Sequence, residues 1–290
     1  MTNQAAWIPE AKAQVVVKEA PMPTPGEGEV VIKNHAWAIN PIDWKIQQFG
    51  IMLKSYPNIL GVDSAGEVHA VGPGVTHVKK GDRVLVAKTL SLPYPTLSPS
   101  PPPANGGNVK SILIWGASAS VGATAVQLAA STPSLKTIAV CGPKNFDAIR
   151  SLGAHAVFSR SSPSLTQDIL AALQGTEYVG VVDCISTKES VAGWTPVWKE
   201  RGGRYASVMP DVPGVPEGAQ GAMVWAPTVA FRDREIGEKV WGEWVPKALE
   251  RGLLKAVPPP RVVGKGLESL QDGIDAQRKG VSFEKIVVEA

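Results

Sequence analysis

The chain has 290 residues, of which 44% are hydrophobic and 19% are charged, a length and composition that suit one large or two modest globular domains. The net charge of +3 argues against nucleic acid as a partner, and the lack of a long apolar run argues against a membrane span. The first residues lack the basic-then-apolar order of a signal peptide, so we expect a cytoplasmic protein.

The first 88 residues are rich in β-branched residues, with glycine and proline between the apolar runs. This pattern predicts short strands joined by turns, and hence a small β-rich unit. The predicted strands cover residues 13–20, 29–39, 61–72 and 82–87.

From about residue 110 the pattern changes to apolar strands that alternate with helices. Such alternation predicts an α/β fold with a doubly wound parallel sheet, covered on both faces. The predicted strands are 110–117, 136–142, 155–159, 178–184 and 203–208, and the predicted helices are 120–131, 145–154 and 164–175.

The last 80 or so residues are less regular. Residues 209–232 hold several prolines and glycines and predict a loop. A helix is predicted over 235–252, with Pro246 expected to kink or split it. A short strand in "PPPRVVG", a helix over 266–280 and a strand over 284–290 follow.

The sequence "ILIWGASASVGATAVQLA" predicts a strand, a tight turn and a helix start. A dinucleotide pyrophosphate needs close backbone approach and free N–H groups at a helix N-terminus, and small residues from Gly116 to Gly122 allow both. The usual three-glycine pattern is absent, so the alternative is close helix–sheet packing without a ligand.

The end of the second strand of this unit indicates which dinucleotide is expected. An NAD site usually has an acid there for the ribose 2′-hydroxyl, but here the residues are Gly142, Pro143, Lys144 and Asn145. Lys144 can meet a 2′-phosphate, and Arg160 after the third strand can approach the same group. The sequence therefore favours NADPH, unless both cations are merely solvated.

Two cysteines and four histidines provide no metal-ligand pattern. Cys141 and Cys184 each end an apolar run, where a thiol usually behaves as a small buried hydrophobe. We therefore expect no bound metal.

Several segments together resemble the medium-chain dehydrogenase/reductase superfamily. They include "GEGEVVIKNHAWAINPIDWKIQ", "GVDSAGEVHAVGPGVTHVKKGDRV", "CGPKNFDAIRSLGAHAVF" and "GVSFEKIVVEA", besides the turn above. The most similar branch is that of the zinc-independent fungal trans-acting enoyl reductases and their ToxD-like relatives.

The resemblance implies a Rossmann domain inserted into a GroES-like catalytic domain. The expected divisions are the GroES-like part at 1–91, a proline-rich linker at 92–109, the NADP-binding domain at 110–235 and a C-terminal segment at 236–290 that completes the catalytic domain. Zinc-dependent members have a cysteine ligand within "NPID" (40–43) and Gly-His-Glu at 61–63, where this chain has Gly-Val-Asp. Zinc is therefore not expected.

The resemblance also implies roles for individual residues. The expected catalytic residues are Lys45, Asp43 and Asn40, although Asp43 and Lys45 could instead form a surface ion pair. The expected cofactor-binding residues are Pro41, Gly116, Ser118, Ala119, Ser120, Val121, Gly142, Pro143, Lys144, Asn145, Arg160, Val281 and Ser282. Many relatives have tyrosine at the position of Arg160.

The chain departs from the family after "GDRV". Relatives continue the catalytic domain there, whereas this chain passes directly to "LPYPTLSPSPPPANGG". The pattern indicates an internal deletion joined near residues 88–92, which truncates the catalytic domain and exposes strand edges.

Two functions from different classes follow. The first is an NADPH-dependent oxidoreductase that reduces an α,β-unsaturated carbonyl such as an enoyl thioester, with a polyketide synthase in trans as a partner, or a quinone or enone as substrate. The second is an inactive, truncated family member that still binds NADPH. Neither involves nucleic acid or a membrane.

Overall fold

The computed structural model describes residues 3–86, 109–224 and 234–290, and the statements below refer to these ranges. They divide into two compact units. The first unit holds residues from both ends of the chain, up to residue 86 and from 259, and the second holds the residues between. The predicted boundary at 91 and nearly all of the predicted linker lie outside the described residues.

The first unit begins with antiparallel strands. Strand β1 (Asn3–Ile8) pairs with β2 (Val16–Ala20) and β4 (Asn58–Ile59), while β3 (Val30–Ala38) pairs with β5 (Asp63–Val71), which in turn pairs with β6 (Arg83–Val86). Within the part of the chain that is described, β6 pairs with β5 alone. This edge is where the truncation expected from the sequence would leave a strand without its neighbour.

Helix α1 (Pro41–Phe49) follows β3. Proline is the first helical residue, where its missing N–H costs nothing, and Gly50 ends the helix in the left-handed conformation (φ 65°). Both are recognisable helix signals, yet the sequence reading assigned no helix here. Ile42, Ile46 and Phe49 also follow the i, i+4, i+7 spacing of a helix, so a local signal was present that the prediction did not use.

The second unit contains a six-stranded parallel sheet among its described residues. Its strands are β7 (Lys110–Trp115), β8 (Leu135–Cys141), β9 (Ala156–Ser159), β10 (Glu177–Asp183), β11 (Arg204–Ser207) and β12 (Gly221–Met223). Their order, β12-β11-β10-β7-β8-β9, is that of a doubly wound dinucleotide-binding sheet. The predicted fold class is confirmed.

Helices cover this sheet: α2 (Ser120–Ala130), α3 (Phe146–Ser151), α4 (Leu165–Ala172) and α5 (Lys188–Arg201). On α4 the four-residue spacing of Leu165, Ile169 and the following Leu173 places all three in the buried core. That core also contains Trp194 of α5, which is 1% exposed. Helix α5 was not predicted, because Pro196 and many polar residues obscure its period.

Strand β12 corrects the loop predicted over 209–232. It has three residues and lies in a segment rich in glycine and proline, so it shows no strand pattern of its own. Parallel pairing of Tyr205, Ala206 and Ser207 on β11 with this segment creates the strand. Tertiary pairing therefore decides its conformation.

The end of the second unit corrects a domain boundary. Helix α6 (Arg234–Gly237), a π-helical segment at Glu238–Trp244 and helix α7 (Val245–Glu250) follow one another without a gap. The predicted helix is therefore not split at Pro246, which lies in the first turn of α7 just after the π-helical segment. Trp244 and Ala248 pack against Leu128 of α2. This apolar contact fixes residues 236–258 in the second unit, whereas the sequence reading gave them to the catalytic domain.

The chain then completes the first unit. Strand β13 (Pro260–Lys265), helix α8 (Leu270–Arg278) and strand β14 (Lys285–Glu289) close a sheet of order β13-β14-β3-β5-β6. Ile274 of α8 and Ile286 of β14 form a buried cluster with Ile39. In the ranges described, no helix has the length and apolar character needed to cross a membrane.

Candidate functional site

A tight turn joins β7 to α2 in the second unit. Gly116 has a φ of 76°, a conformation that glycine adopts without strain, and the Ala119 N–H donates to the Gly116 carbonyl oxygen at 2.9 Å. The Gly116 and Ala117 N–H groups both donate to the Val140 carbonyl at 3.0 Å, which anchors the turn on β8. The turn therefore has a defined shape at the carboxyl end of the central strand.

Gly122 lets α2 start close to this turn. A Cβ at this position would lie 2.3 Å from the Gly116 carbonyl oxygen and 2.7 Å from the Ala117 Cα, both of them backbone atoms. Only glycine fits such an approach. Gly116 and Gly122, the two ends of the predicted pattern, are therefore in contact through space.

The first turn of α2 has no side-chain cap. Its N-cap residue is Ala119, which has no hydrogen-bonding side chain. Ser118, Ser120 and Val121 are half-buried around it. The first N–H groups of a helix lack partners within the helix, so this end can accept an anion. The structure thus brings together Gly116 and the predicted residues from Ser118 to Val121.

The end of β8 lies beside this turn, because β8 pairs with β7. Gly142 follows the strand, and a Cβ there would meet no atom within 4 Å. A 3₁₀ turn at Pro143–Asn145 leads into α3, with Lys144 exposed and Asn145 buried. The first acid, Asp147, is paired with Arg150 at 3.2 Å. An open backbone and an exposed cation therefore mark this strand end.

Arg160 lies at the neighbouring strand end. It directly follows β9, and its N–H donates to the Cys141 carbonyl, the last residue of β8, at 3.4 Å. Its side chain is exposed. Lys144 and Arg160 therefore follow the carboxyl ends of adjacent parallel strands, as the sequence predicted.

A polar cluster occupies the first unit where three strands begin or end. Asn40 follows β3, Asp63 begins β5 and Lys285 begins β14. The Asn40 Nδ2 donates to Asp63 Oδ2 at 2.7 Å, and the Lys285 ammonium donates to Asn40 Oδ1 at 2.6 Å and lies 3.4 Å from Asp63 Oδ2. The Lys285 and Asp63 side chains are only 20% and 17% exposed, so this ion pair is weakly screened.

Asp43 is the most deeply buried acid near this cluster, with 2% of the residue exposed. Its Oδ2 accepts from the Asn40 N–H at 2.7 Å and caps α1, while its Oδ1 has no hydrogen-bond partner among the described residues. Burial raises the pKa of Asp43 from 3.8 to about 6, although the positive charge of Lys285 acts in the opposite direction. Asp43 can therefore hold a proton close to neutral pH.

Lys45 is half-buried on α1, with its ammonium 5.7 Å from the centre of the Trp44 ring. Burial lowers the pKa of Lys45 from its ordinary value. Pro41 is exposed at the start of the same helix. Val281 packs on the cluster around Ile39, and Ser282 follows it just before β14. These predicted residues all belong to the first unit, and the residues around the α2 turn belong to the second.

The sequence predicts no role for Lys285, and Asp63 enters there only as the last residue of the Gly-Val-Asp that replaces the Gly-His-Glu of zinc-dependent members. Lys285 and Asn40 are 245 positions apart, so no local pattern connects them. Lys285 and Asp63 are each the first residue of a strand, which places both side chains at strand ends. Pairing of β14 with β3 and of β3 with β5 brings these strand ends together.

In the ranges 3–86, 109–224 and 234–290, no group of three or more histidine, cysteine, aspartate or glutamate side chains could hold a metal ion. Both cysteines are buried, and burial raises the pKa of the Cys141 thiol to about 11. Burial therefore disfavours the thiolate, which is the form that binds a metal.

Comparison with known proteins identifies the class. The family model of the alcohol dehydrogenase GroES-like domain matches residues 26–131. The chain is 34% identical to the trans-enoyl reductase himH of Aspergillus japonicus, over 100% of this chain and 98% of that protein. It is 29% identical to lovC, the enoyl reductase component of lovastatin nonaketide synthase of Aspergillus terreus, over 93% and 91% of the two chains.

Among solved structures, that of an alcohol dehydrogenase superfamily protein from Novosphingobium aromaticivorans matches with a TM-score of 0.75, at 22% identity over 99% of both chains. The chain belongs to the medium-chain dehydrogenase/reductase superfamily, whose members generally use nicotinamide cofactors. Its similarity to enoyl reductases places it with the reductases of that superfamily.

The relatives also bear on the expected truncation. The alignment with himH extends over 344 positions, against the 290 residues of this chain, so at least 54 positions have no residue here. Because both chains are covered almost from end to end, most of this difference is internal. The predicted junction at residues 88–92 lies outside the described residues.

Proposed function

We propose that this protein is an NADPH-dependent oxidoreductase that reduces an α,β-unsaturated carbonyl compound, with an enoyl thioester as the substrate class. The observation that carries the proposal is the uncapped, glycine-lined turn at the start of α2, in a chain similar throughout to a trans-enoyl reductase. The cofactor and the substrate are the parts of the proposal that experiment must test.

The residues present fit a dinucleotide phosphate. Gly116 and Gly122 leave no side chain between the turn and the helix, so the first N–H groups of α2 can face a pyrophosphate. Gly142 leaves open space at the neighbouring strand end, and Lys144 supplies a positive charge there, with Arg160 beside it. Two cations without an adjacent acid favour a ribose that carries a 2′-phosphate.

When bound, NADPH would supply a hydride to the β-carbon of the substrate, and the α-carbon would then take a proton. The protein itself would bind the cofactor and the substrate, orient them towards each other and exclude water. Lys45, with its pKa lowered by burial, is our candidate for the polar group near the substrate carbonyl. The roles of Asn40, Asp43, Pro41, Val281 and Ser282 stay predictions from the resemblance.

Zinc independence is part of the proposal. Zinc-dependent members have cysteine and histidine ligands where this chain has Asn40 to Asp43 and Val62. Asn40 is instead engaged with Asp63 and Lys285. Neither set of side chains offers the nitrogen and sulfur ligands that zinc prefers.

The partner and the compartment are further proposals. The relative lovC is named as a component of a nonaketide synthase, which supports a polyketide synthase as a partner in trans and an acyl thioester as substrate. A free quinone or enone is the alternative substrate. The cytoplasm is the compartment that we propose.

A second candidate function rests on the alignment. At least 54 positions of himH have no counterpart in this chain, so a catalytic domain of reduced size could bind NADPH without normal turnover. A smaller domain would exclude water less well and stabilise developing charge less.

Fluorescence of NADPH separates these functions. The first predicts that the protein binds NADPH and consumes it when a crotonyl-type thioester is added. Binding without consumption of NADPH with a thioester, a quinone or an enone would support the second function. A protein that binds no NADPH would contradict both.

The 2′-phosphate assignment is tested by charge reversal. Lys144→Glu is expected to weaken NADPH binding about 10- to 100-fold, because a charge-assisted hydrogen bond contributes about 1.5–3 kcal/mol. NADH binding should not change. Arg150→Glu is the matched control, since Arg150 is an exposed cation on α3 that pairs with Asp147. An equal loss for both cofactors, or an equal loss in both variants, would contradict the assignment.

A further inference from the structure

Asp183, the last residue of β10, is a buried carboxylate that does not belong to the cofactor turn at the start of α2. It is 1% exposed. A carboxylate in such a place is costly unless donors surround it, and here four donors do. Its Oδ1 accepts from the Ile185 and Ser186 N–H groups at 3.0 and 2.8 Å. Its Oδ2 accepts from Ser190 Oγ at 2.6 Å and from Trp194 Nε1 at 3.0 Å.

These four bonds connect the loop after β10 to helix α5. Ser186 has a φ of 56°, an uncommon conformation for serine, and its hydroxyl donates to the Asp183 carbonyl at 2.9 Å and accepts from the Val208 N–H at 2.8 Å. Trp194 is buried and stacks on Tyr205 of β11. The loop at residues 184–186 is therefore held from the strand, from the helix and from the neighbouring strand end.

This loop places an apolar side chain beside the cofactor turn. A Cβ on Gly116 would lie 2.5 Å from Ile185 Cγ1, so Ile185 occupies the space next to that glycine. Ile185 nevertheless remains 42% exposed, although the core lies next to it. The Ile185 N–H bond to Asp183 fixes the backbone at this position, so the apolar side chain stands at a defined place next to the turn.

The order of the strands indicates which part of a bound dinucleotide would reach Ile185. In the order β10-β7-β8-β9, the sheet reverses direction of growth between β7 and β10, and ligands bind outside the carboxyl ends of strands at such a point. Lys144 marks the β8 side as the adenosine end. A dinucleotide whose pyrophosphate lies at α2 therefore extends its other half towards β10.

We propose that Asp183 is a positioning residue that holds Ile185 beside Gly116 as an apolar contact for the nicotinamide-ribose half of NADPH. This inference rests on the proposed function, because it requires NADPH to bind at the α2 turn. It adds a contact residue and a positioning residue that neither the turn motif nor the strand-end cations indicate.

The test compares NADPH with 2′,5′-ADP, which has the adenosine half and lacks the nicotinamide half. Binding of each is measured by calorimetry or fluorescence on folded protein. Ile185→Ala is expected to weaken NADPH binding about 5- to 10-fold, as expected for loss of an apolar contact, and to leave 2′,5′-ADP binding unchanged. Because Ile185 is partly exposed, this variant should fold normally.

A pair of variants on α5 tests the positioning role. Ser190→Ala removes one donor to Asp183 and is expected to weaken NADPH binding several-fold with no effect on 2′,5′-ADP. Thr195→Ala is the matched control, because among the residues described in the structure the Thr195 hydroxyl donates to the Val191 carbonyl of the same helix, at 2.7 Å, and to no group around Asp183. It should change neither affinity.

The outcomes separate this inference from the proposed function. Wild-type protein that binds neither ligand would overturn both. Wild-type protein that binds NADPH, with Ile185→Ala and Ser190→Ala unchanged, would overturn the inference alone. Equal weakening of both ligands in these variants would show that Asp183 supports the fold and does not position a contact for the nicotinamide half, and would also overturn it.

Discussion

Gly122→Ala is expected to weaken NADPH binding at least tenfold and to lower the free energy of unfolding by about 1–3 kcal/mol, the usual cost of forcing extra atoms into a packed site. The added Cβ would lie 2.3 Å from the Gly116 carbonyl oxygen, and backbone cannot move aside as a flexible side chain can. The start of α2 must therefore shift away from the turn. That shift moves the helix N–H groups which we assign to the pyrophosphate.

The matched control is Gly242→Ala, at a position where a Cβ meets no atom within 4 Å and the backbone needs no glycine. It should leave NADPH binding unchanged and stabilise the protein slightly, because alanine restricts the unfolded chain. Urea denaturation and NADPH titration measure the two effects. A Gly122→Ala protein that binds NADPH as tightly as wild type would show that the cofactor does not use this turn.

The parallel sheet could be predicted from the sequence because its strands are buried on both faces. In β8, for example, residues from Thr137 to Cys141 are all buried, and an uninterrupted apolar run is the direct result. The α2 turn was predictable for a similar reason, since close backbone approach requires small residues. These features leave a local pattern.

Other features depend on contacts between distant segments and leave no such pattern. Strand β12 exists because β11 pairs with it, and residues 236–258 join the second unit because Trp244 packs on α2. The cluster of Asn40, Asp63 and Lys285 forms only when three strands align. The hydrogen bonds to the Asp183 carboxylate could not be predicted for the same reason. Two of their donors, Ser190 and Trp194, lie on α5, a helix that the hydrophobic pattern did not indicate.

Asp43→Asn is expected to remove a pH dependence from the stability of the first unit. In the folded protein the pKa of Asp43 is about 6, whereas the ordinary value is 3.8. Between these pH values the folded state binds more protons than the unfolded state, so the free energy of unfolding falls as pH rises from about 4 to 6. At about 1.4 kcal/mol for each pH unit, this loss approaches 2–3 kcal/mol.

Asparagine has no proton to lose, yet its oxygen can still accept from the Asn40 N–H, so the cap on α1 is retained. Between pH 4 and 7, the free energy of unfolding of the variant should therefore fall by about 2–3 kcal/mol less than that of the wild type. Asp147→Asn is the control, because Asp147 is fully exposed on α3 and should leave the wild-type dependence intact. Urea denaturation at four pH values across this range measures the three proteins.

Lys285→Met tests the cause of the same effect. The ammonium of Lys285 lowers the pKa of Asp43, so its removal should raise that pKa and extend the fall in stability above pH 6. It also removes the donor to Asn40 Oδ1 and the cation beside Asp63, which keeps its hydrogen bond from Asn40 Nδ2, at a cost of about 1–3 kcal/mol. The double variant Lys285→Met with Asp43→Asn should still be less stable by the cost of the lost Lys285 contacts. It should not show the pH dependence that Lys285→Met adds, because residue 43 then has no proton to lose. A single variant whose stability follows the wild-type pH curve would mean that Lys285 does not act on Asp43, and that the cluster holds the strands together without tuning the acid.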